Sequence, residues 1–217
     1  MRIVCDFDGT ISRQDTVDEV LEQLADPQWR VLERQWLANQ ITAATCMREQ
    51  IALIDPDKTR LDAALDKVAL DPGFARFLAW GESLGHDISI VSDGVDYFID
   101  RILRRHGLGH VPIVANRLVR GRKLRLYQPW SRAGCAAGSG VCKCAATRAD
   151  GSEPLVFIGD GRSDFCLAAK ADVLFAKDVL ADHAASRGQA FHRFQTFDDI
   201  TVTLWPQARA SAGRTSL

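Results

Sequence analysis

The feature of this sequence that most limits its fold is an alternation of short apolar segments with longer segments of helical periodicity. The apolar segments have the length and composition of buried strands. They are residues 2–5, 87–91, 111–115, 155–158 and 173–176. Helical patterns lie between or after them, at residues 74–84, 95–106, 141–149, 163–170, 178–187 and 198–204. Strands that alternate with helices predict an α/β fold with a doubly wound, mostly parallel sheet.

One long segment, residues 15–70, interrupts this alternation because it contains helical patterns and no convincing strand. The patterns cover residues 17–24, 28–38, 42–53 and 58–68. An ordinary connection between a strand and a helix is only a few residues long. We therefore interpret residues 15–70 as an inserted helical cap on a core made of residues 1–14 and 71–206. Residues 207–217 contain few apolar side chains and are expected to form a mobile tail.

Composition and charge restrict the partners of the chain. Hydrophobic residues make up 47% of the 217 residues and charged residues 25%, as in ordinary soluble proteins. The 27 lysines and arginines are balanced by 28 acidic residues, so we expect neither a nucleic-acid partner nor a membrane surface. No apolar run approaches the roughly 20 residues that span a bilayer. We expect a cytoplasmic protein, monomeric or homodimeric, whose six cysteines are reduced thiols.

Two carboxylates follow the first strand candidate, at Asp6 and Asp8, before Gly9 and Thr10 turn the chain. The carboxyl ends of parallel strands form the edge at which such sheets bind ligands. Neighbouring carboxylates repel each other unless a cation neutralises them or one holds a proton. Magnesium, which prefers oxygen ligands, is the natural counterion. The alternative is a turn in which both side chains only accept hydrogen bonds from the backbone.

Two further segments carry groups that suit a phosphate. Ser92 follows the second strand candidate, and its hydroxyl, with the backbone amides of Asp93 and Gly94, could hold phosphoryl oxygens. A helix-capping or turn serine is the alternative. Lys143 lies near the start of a predicted helix, where its ammonium group could meet phosphate charge. A lysine in isolation is more often a solvated surface residue.

A fourth segment follows the strand candidate at residues 155–158 and contains Asp160 and Asp164 in a glycine-flanked loop. Parallel strands would bring Asp160 to the same sheet edge as Asp6. These two carboxylates suit a metal site, although a turn aspartate and a helix N-terminal aspartate would give the same pattern. The occurrence of all four segments in this order favours the functional interpretation over the structural ones.

The four segments resemble the motifs of the haloacid dehalogenase-like phosphatases, with Asp6, Asp8 and Thr10 in the first, Ser92 in the second, Lys143 in the third, and Asp160 and Asp164 in the fourth. The resemblance covers nearly the whole chain and implies a Rossmann-like core with a helical cap inserted after the first motif. Local features near Lys143 and Asp164 resemble the phosphoserine-phosphatase-like branch, especially its methionine-salvage phosphatases, which act on an enol phosphate.

The resemblance also implies roles for these residues. Asp6 would be the nucleophile that forms an aspartyl-phosphate, and Asp8 would be the general acid and base. Mg²⁺ would be held by the Asp6 carboxylate, the Asp8 carbonyl, Asp160 and, directly or through water, Asp164. Ser92 and Lys143 would bind the phosphoryl oxygens together with Thr10, Asp93 and Gly94. Asp93 departs from the glycine often found after the serine of this motif.

Several other residues admit a functional and a structural interpretation. Arg48 in the cap could contact the small phosphorylated substrate or be a solvated helix residue, and Asp15 and Asp18 could face the substrate or stabilise a helix N-terminus. Trp29, Trp36 and Trp80 are expected to pack in the core or cap. Cys135, Cys142 and Cys144 have no evident fourth metal ligand and are interpreted as reduced packing or loop residues.

The leading functional hypothesis is magnesium-dependent hydrolysis of a small cytosolic phosphomonoester, such as a methionine-salvage enol phosphate or a phosphoserine-like metabolite. A phosphotransferase that uses the same motifs is an alternative within enzymes. A phosphate-binding regulatory module is the alternative outside them, and the presence of both Asp6 and Asp8 disfavours it.

Overall fold

A computed structural model of the chain describes residues 1–147 and 154–212 and contains a seven-stranded sheet of order β4-β3-β2-β1-β5-β6-β7. The strands are β1 (Arg2–Cys5), β2 (Asp87–Val95), β3 (Ile113–Val119), β4 (Arg125–Tyr127), β5 (Leu155–Gly159), β6 (Val173–Ala176) and β7 (His192–Arg193). Every pairing is parallel except that of β4 with β3. The prediction of a doubly wound, mostly parallel α/β sheet is confirmed.

The helices are α1 (Thr16–Leu24), α2 (Trp29–Leu37), α3 (Ala43–Ile51), α4 (Lys58–Leu65), α5 (Phe74–Ser83), α6 (Asp96–Arg105), α7 (Lys143–Ala146), α8 (Phe165–Ala168), α9 (Asp178–Ser186) and α10 (Phe197–Ala212). The helix expected at residues 163–170 begins instead with a 3-10 turn over Arg162–Asp164. The helix expected at residues 141–149 is shorter, and residues 148 and 149 lie outside the described ranges.

The central strand β1 pairs in parallel with β2 on one side and with β5 on the other. Cys5 lies opposite Ile90 of β2 and Ile158 of β5, so the three strands reach the same edge of the sheet together. The residues that follow Cys5, Ile90 and Ile158 at this edge of the sheet are Asp6, Val91 and Gly159. The pairing of β2 with β3 is irregular between Val91 and Val95, which lets the intervening residues leave the regular ladder.

Both faces of the sheet are buried, as alternation along β1 shows. Ile3 and Cys5 belong to one buried apolar cluster, and Val4, which points to the opposite face, belongs to a second. A strand that is apolar on both faces is typical of the centre of a parallel sheet. The core therefore lies in two layers, and the sheet edge between them is the place where polar side chains can converge.

The helices α1 to α4 occupy the segment predicted to form the cap. Asp15 caps α1, because its Oδ1 accepts hydrogen bonds from the amides of Val17 and Asp18 at 2.9 and 3.0 Å. Helix α1 contacts α4, and α2 contacts α3. The chain enters and leaves this segment at one point, where Ser12 and Leu70 form an antiparallel bridge. The division into residues 1–14 with 71–206 and residues 15–70 stays a prediction.

Two strands and one helix end differ from the expectations. Strands β4 and β7 have three and two residues, with one buried side chain in β4 and none in β7, so neither produces an apolar run. Helix α10 continues to Ala212, so the backbone of residues 207–212 is helical. The predicted mobility of residues 207–217 is otherwise untested, and residues 213–217 lie outside the described ranges.

Within residues 1–147 and 154–212, no helix has both the length and the apolar character required to cross a bilayer.

Candidate active site

Asp6 follows β1 directly, and its amide donates a hydrogen bond to the carbonyl of Ile158 at 2.9 Å, which extends the pairing with β5 by one residue. Its side chain is only 7% exposed. The Asp6 Oδ1 accepts the amide of Phe7 at 2.7 Å, and Oδ2 lies 2.7 Å from the Lys143 Nζ. The carboxylate is therefore held by one backbone amide and one cation.

Lys143, the first residue of α7, is fully buried and lies between two carboxylates. Its Nζ is 2.7 Å from Asp6 Oδ2 and 2.5 Å from Asp164 Oδ1. Burial alone would lower the pKa of Lys143, but Asp164 and Asp6 raise it above its usual value. The ammonium group therefore stays charged, and it lies behind Asp6 rather than on the wall of the cavity described below.

Asp164 is fully buried in the 3-10 turn and uses both of its oxygens. Oδ1 contacts Lys143, and Oδ2 accepts the amides of Asp160 and Gly161, each at 3.0 Å. These contacts fix the loop after β5 and orient Lys143. Asp164 is thus better placed to position its neighbours than to be a direct ligand of a metal ion.

Asp160 completes an acidic cluster, in which one oxygen each of Asp6, Asp160 and Asp164 lie within 4.8 Å of one another. Burial and the nearby Asp164 raise the pKa of Asp160 to about 6, and the same two causes raise the pKa of Asp6. A divalent cation would reverse both shifts because it stabilises the charged carboxylates. The cluster, with three carboxylates and one lysine, has the oxygen donors and the negative charge that a hard cation requires.

Gly9 and Thr10 of the first motif contact the Asp160 side chain and fix its position. The backbone of Gly9 has a φ of +70°, and a Cβ there would lie 2.5 Å from Asp160 Oδ2. The hydroxyl of the buried Thr10 donates to Asp160 Oδ1 at 2.5 Å. Thr10 does not line the cavity, and its hydroxyl contacts Asp160 in this structure. Phosphate binding by Thr10 stays a prediction.

Asp8 is directed away from the acidic cluster and toward the cap. Its Oδ1 accepts the amide and the hydroxyl of Thr16, at 2.9 and 2.6 Å, and its Oδ2 lies 3.5 Å from Ser92 Oγ. Burial and the nearby Asp15 raise the pKa of Asp8 to about 7, against the bonds from Thr16 that lower it. The Asp8 carboxylate is not a member of the acidic cluster, so only its carbonyl is left for the metal role expected from the sequence.

Ser92 lies near the end of β2 and is almost fully buried. Its Oγ accepts the amide of Gly94 at 2.9 Å and faces Asp8. A Cβ at Gly94 would lie 2.3 Å from Asp8 Oδ2, so the close approach of this turn to Asp8 requires glycine. Ser92, Asp93 and Gly94 line the same cavity as Asp6, Asp8 and Asp160.

The cavity has a volume of about 560 Å³ and lies between the sheet edge and the cap. Its cap wall includes the acidic residues Asp15, Asp18 and Glu33 and the apolar residues Val17, Trp36 and Met47. Trp36, which was expected to pack in the core or the cap, lies in the cap and lines the cavity. Trp29 is buried in the core cluster, as expected.

Arg48, expected as a substrate contact, does not line the cavity. Its side chain is 47% exposed and forms an ion pair with Glu49 at 3.3 Å. Helix α3 faces the cavity with Ala43, Cys46, Met47 and Gln50, a spacing of three, four and seven residues that marks one helix face. Arg48 lies off this face. The spacing marks Met47 and Gln50 as members of one helix face, but which face meets the core depends on packing.

Thr16 is the other contact that sequence reasoning missed. It is the first residue of α1, and its bonds to Asp8 join the first motif to the cap. The signal was present in the sequence, because Asp15 is a helix cap and the residue after a cap presents its amide at the helix N-terminus.

The chain is similar to known proteins in sequence and in fold. Residues 3–169 match the sequence model of a family described as haloacid dehalogenase-like hydrolase. A protein of Exiguobacterium sibiricum named 2-hydroxy-3-keto-5-methylthiopentenyl-1-phosphate phosphatase is 30% identical over 207 residues, which cover 92% of this chain and 94% of that protein. A protein of the same name from Brevibacillus brevis is 30% identical, with 91% and 92% covered.

The solved structures with a similar fold include phosphoserine phosphatases. One, described as a phospho-aspartyl intermediate analogue of phosphoserine phosphatase, has a TM-score of 0.65 at 18% identity and covers 93% of this chain and 97% of its own. Another, a probable phosphoserine phosphatase of Vibrio cholerae, has a TM-score of 0.71 at 19% identity and covers 99% and 67%. At these identities the likeness concerns the fold alone.

Proposed function

The chain belongs to the haloacid dehalogenase-like hydrolases and is a phosphatase of that family, and we propose that it hydrolyses the phosphomonoester of a small cytosolic metabolite with Asp6 as the nucleophile. The observation that carries this proposal is the contact of the Asp6 carboxylate with the buried Lys143 at 2.7 Å, beside Asp160 and at the floor of a cavity. A carboxylate that is buried, oriented and exposed only toward a cavity is suited to nucleophilic attack.

In the first step the Asp6 carboxylate forms a bond to phosphorus, the ester P–O bond breaks, and the leaving oxygen takes a proton from Asp8. In the second step water attacks the aspartyl-phosphate, Asp8 takes its proton, and phosphate and the Asp6 carboxylate are released. The position of Asp8 supports this role, because its carboxylate lines the cavity and is held by Thr16.

Lys143 and Ser92 would stabilise the phosphoryl group. The ammonium group has three N–H donors. Two point to Asp6 and Asp164, and the third would be available, from behind Asp6, to an oxygen of the phosphoryl group that Asp6 carries in the intermediate. The Ser92 hydroxyl faces the cavity beside Asp8, with the amides that follow it. Donors fixed before the substrate arrives are the main source of stabilisation for charge that develops during the reaction.

Mg²⁺ is the cofactor that we propose for the acidic cluster, held by the carboxylates of Asp6 and Asp160 and by the carbonyl of Asp8. When bound, the ion neutralises charge on the phosphate and on the nucleophile, which otherwise repel each other. Asp160 Oδ2 supports this assignment, because it accepts no hydrogen bond from the described residues and lies over Gly9. Asp164, whose oxygens are both in use, would hold Lys143 and the loop after β5.

The cap wall favours the methionine-salvage enol phosphate over phosphoserine as the substrate. Asp15, Asp18 and Glu33 would attract the ammonium group of phosphoserine and repel its carboxylate. Among the described cap residues that line the cavity, none is basic, so the carboxylate would have no partner there. The compound in the names of the two relatives carries a methylthio group and no carboxylate. Trp36 and Met47 offer an apolar surface to such a group, since thioethers make favourable contacts with aromatic rings.

Phosphate release from purified protein tests the proposal. With Mg²⁺, we expect hydrolysis of p-nitrophenyl phosphate and faster hydrolysis of the enol phosphate than of phosphoserine. EDTA should stop the reaction and added Mg²⁺ should restore it. Asp6→Asn should lower kcat by about 1,000-fold or more, because the amide cannot form the acyl phosphate. Asp182→Asn, at a side chain 82% exposed, is the matched control and should keep full activity.

Each alternative predicts a different result. A phosphotransferase would form more product when an alcohol acceptor is added while free phosphate would not rise. A phosphate-binding regulatory module would release no phosphate from any compound tested. Full activity of Asp6→Asn would exclude Asp6 as the nucleophile.

A further inference from the structure

Asp93 lies between two parts of the active site that are far apart in sequence. It follows Ser92 at the end of β2, and its Oδ1 accepts the backbone amide of Val141 at 2.8 Å. Val141 is two residues before Lys143 and is itself fully buried. One carboxylate oxygen therefore joins the serine segment to the segment that carries the buried lysine.

The segment from Val141 to Lys143 is also held at Cys142, the residue between them. The amide of Cys142 donates to the carbonyl of Trp130 at 3.0 Å, and the Cys142 carbonyl accepts the amides of Ala145 and Ala146 at the start of α7. A displacement of Val141 would therefore move the first turn of α7, which is the element that aims Lys143 at Asp6.

Asn116 of β3 supports Asp93 from the interior of the protein and is fully buried. Its Nδ2 donates to the Asp93 carbonyl at 2.5 Å and lies 3.2 Å from Asp93 Oδ1 and from the Gly94 carbonyl. All three neighbours are acceptors, so the amide nitrogen and not the oxygen must face them. The amide thus fixes both the backbone and the carboxylate of Asp93.

The loop before Val141 lies close to the side chains of Asn116 and Gln128. A Cβ at Gly140 would lie 2.5 Å from Asn116 Oδ1 and 2.3 Å from Gln128 Nε2. The loop therefore packs directly against the residue that orients Asp93. Asp93, Asn116 and the Val141 amide form one connected unit, which we call the Asp93 network.

We propose that Asp93 is a positioning residue, whose carboxylate oxygen holds the Val141 amide so that Lys143 is kept in contact with Asp6. The inference rests on the proposed function, in which Asp6 is the nucleophile and Lys143 its cation. It gives Asp93 a role other than contact with the substrate, although the residue lines the cavity. The role requires an acceptor oxygen at Oδ1 and does not require a negative charge.

Two substitutions separate the acceptor from the charge. Asp93→Ala removes the acceptor and should lower kcat by about 10- to 100-fold, since a small misplacement of a catalytic group has an effect of this size. KM should change less than about threefold, because the substitution acts on the reacting groups. Asp93→Asn keeps an acceptor oxygen and should retain kcat within about threefold of the native enzyme.

A background that lacks the lysine tests whether Asp93 acts through Lys143. In Lys143→Ala, whose residual activity is measured at high enzyme concentration, adding Asp93→Ala should change kcat less than about twofold, because two residues that act through one contact are not additive. An undiminished effect in that background would overturn the proposal. Equal losses for Asp93→Asn and Asp93→Ala would also overturn it, because the charge and not the acceptor would then matter.

Hydrogen exchange gives a readout that is independent of activity. The amides of Val141 and Cys142 should exchange faster in Asp93→Ala than in the native protein, and at the native rate in Asp93→Asn. Unchanged exchange in Asp93→Ala would contradict the Asp93 network even if the enzyme is active. Absence of phosphate release by the native protein would contradict the proposed function, so the two failures are distinguishable.

Discussion

The two walls of the cavity differ in how their charges are balanced. On the core side, the carboxylate of Asp6, which lines the cavity, shares the buried Lys143 with Asp164 behind the wall, at 2.7 and 2.5 Å. On the cap wall, Asp15, Asp18 and Glu33 form no ion pair within residues 1–147 and 154–212. Buried charges are retained only when they are paired, whereas exposed charges tolerate poor pairing.

From this difference we infer that the core wall carries out the reaction and that the cap wall selects the substrate. The core side is assembled before the substrate arrives, since Asp6, Lys143 and Asp164 already hold one another in the protein. The cap wall is partly open to water, and its groups gain partners only from the molecule that enters. Changes on the core wall should therefore affect stability and kcat together, and changes on the cap wall should affect KM or the pH dependence of stability. Four substitutions test this contrast.

Lys143→Met should have the largest effect on both stability and kcat. Removal of the cation leaves two buried carboxylates unpaired, which should lower the free energy of unfolding by about 3–5 kcal/mol, as for other broken buried ion pairs. Activity should fall by about 100-fold or more, because Asp6, the proposed nucleophile, loses its partner. Urea denaturation and phosphate release measure the two effects. Lys170→Met, at an exposed lysine, is the control, and an equal loss there would contradict the contrast.

Gly94→Ala should reduce activity by about tenfold through misplacement of Asp8. The added Cβ would meet Asp8 Oδ2 at 2.3 Å and Ser92 Oγ at 3.1 Å, so the carboxylate must move. Steady-state kinetics should show the loss in kcat. Gly121→Ala is the control, since its Cβ would meet only Lys123 O at 3.6 Å. Native kinetics for Gly94→Ala would show that Asp8 tolerates the displacement.

Trp36→Ala should raise KM by about three- to tenfold and leave kcat nearly unchanged, because it removes contact area that the substrate and the transition state share. Arg48→Ala, in the same cap but off the cavity face of α3, should leave KM within about twofold. The comparison uses the enol phosphate as substrate. A larger increase in KM for Arg48→Ala than for Trp36→Ala would mean that other cap residues than those lining the cavity contact the substrate.

Asp18→Asn should have the smallest effect and should change the pH dependence of stability. Burial and the nearby acids Asp15 and Glu33 raise the pKa of Asp18 to about 7. A carboxyl with a raised pKa binds protons more tightly in the folded state, so stability decreases as pH rises from about 4 through 7. Because the side chain is partly exposed, the gain for Asp18→Asn at pH 8 should be only about 1–2 °C in Tm. Thermal unfolding at pH 4 should show no gain, and an equal gain at both values would exclude this cause.

The sheet and the core wall could be predicted because their signals are local. Each apolar strand ends at the sheet edge, and parallel pairing brings the residues that follow, Asp6 and Asp160, to one place. Strands β4 and β7 could not be predicted, since their pairing depends on neighbours and not on their own side chains. The sequence pattern located the four motifs, but it did not show that Thr10 contacts Asp160 or that Asp164 contacts Lys143.

The contacts that could not be predicted join residues distant in sequence. The bond from the Val141 amide to Asp93 spans 48 positions, and nothing in either segment indicates the other. The cap residues that line the cavity could not be predicted for a different reason. The periodicity of α3 was visible, but the choice between Arg48 and Met47 depends on which helix face meets the core, and that is a property of packing.

The bridge between Ser12 and Leu70 bears on how this architecture can change during evolution. The cap leaves the core and returns to it through paired backbone, where the Arg13 amide donates to Ala69 and the Asp71 amide to Ile11. Loop-closure entropy rises slowly with length, by only about 0.6 kcal/mol for each doubling. An insert of another size could therefore replace residues 15–68 at the same junction while β1 and the carboxylates of Asp6 and Asp8 that follow it stay in place, so new specificities need not begin with a new enzyme.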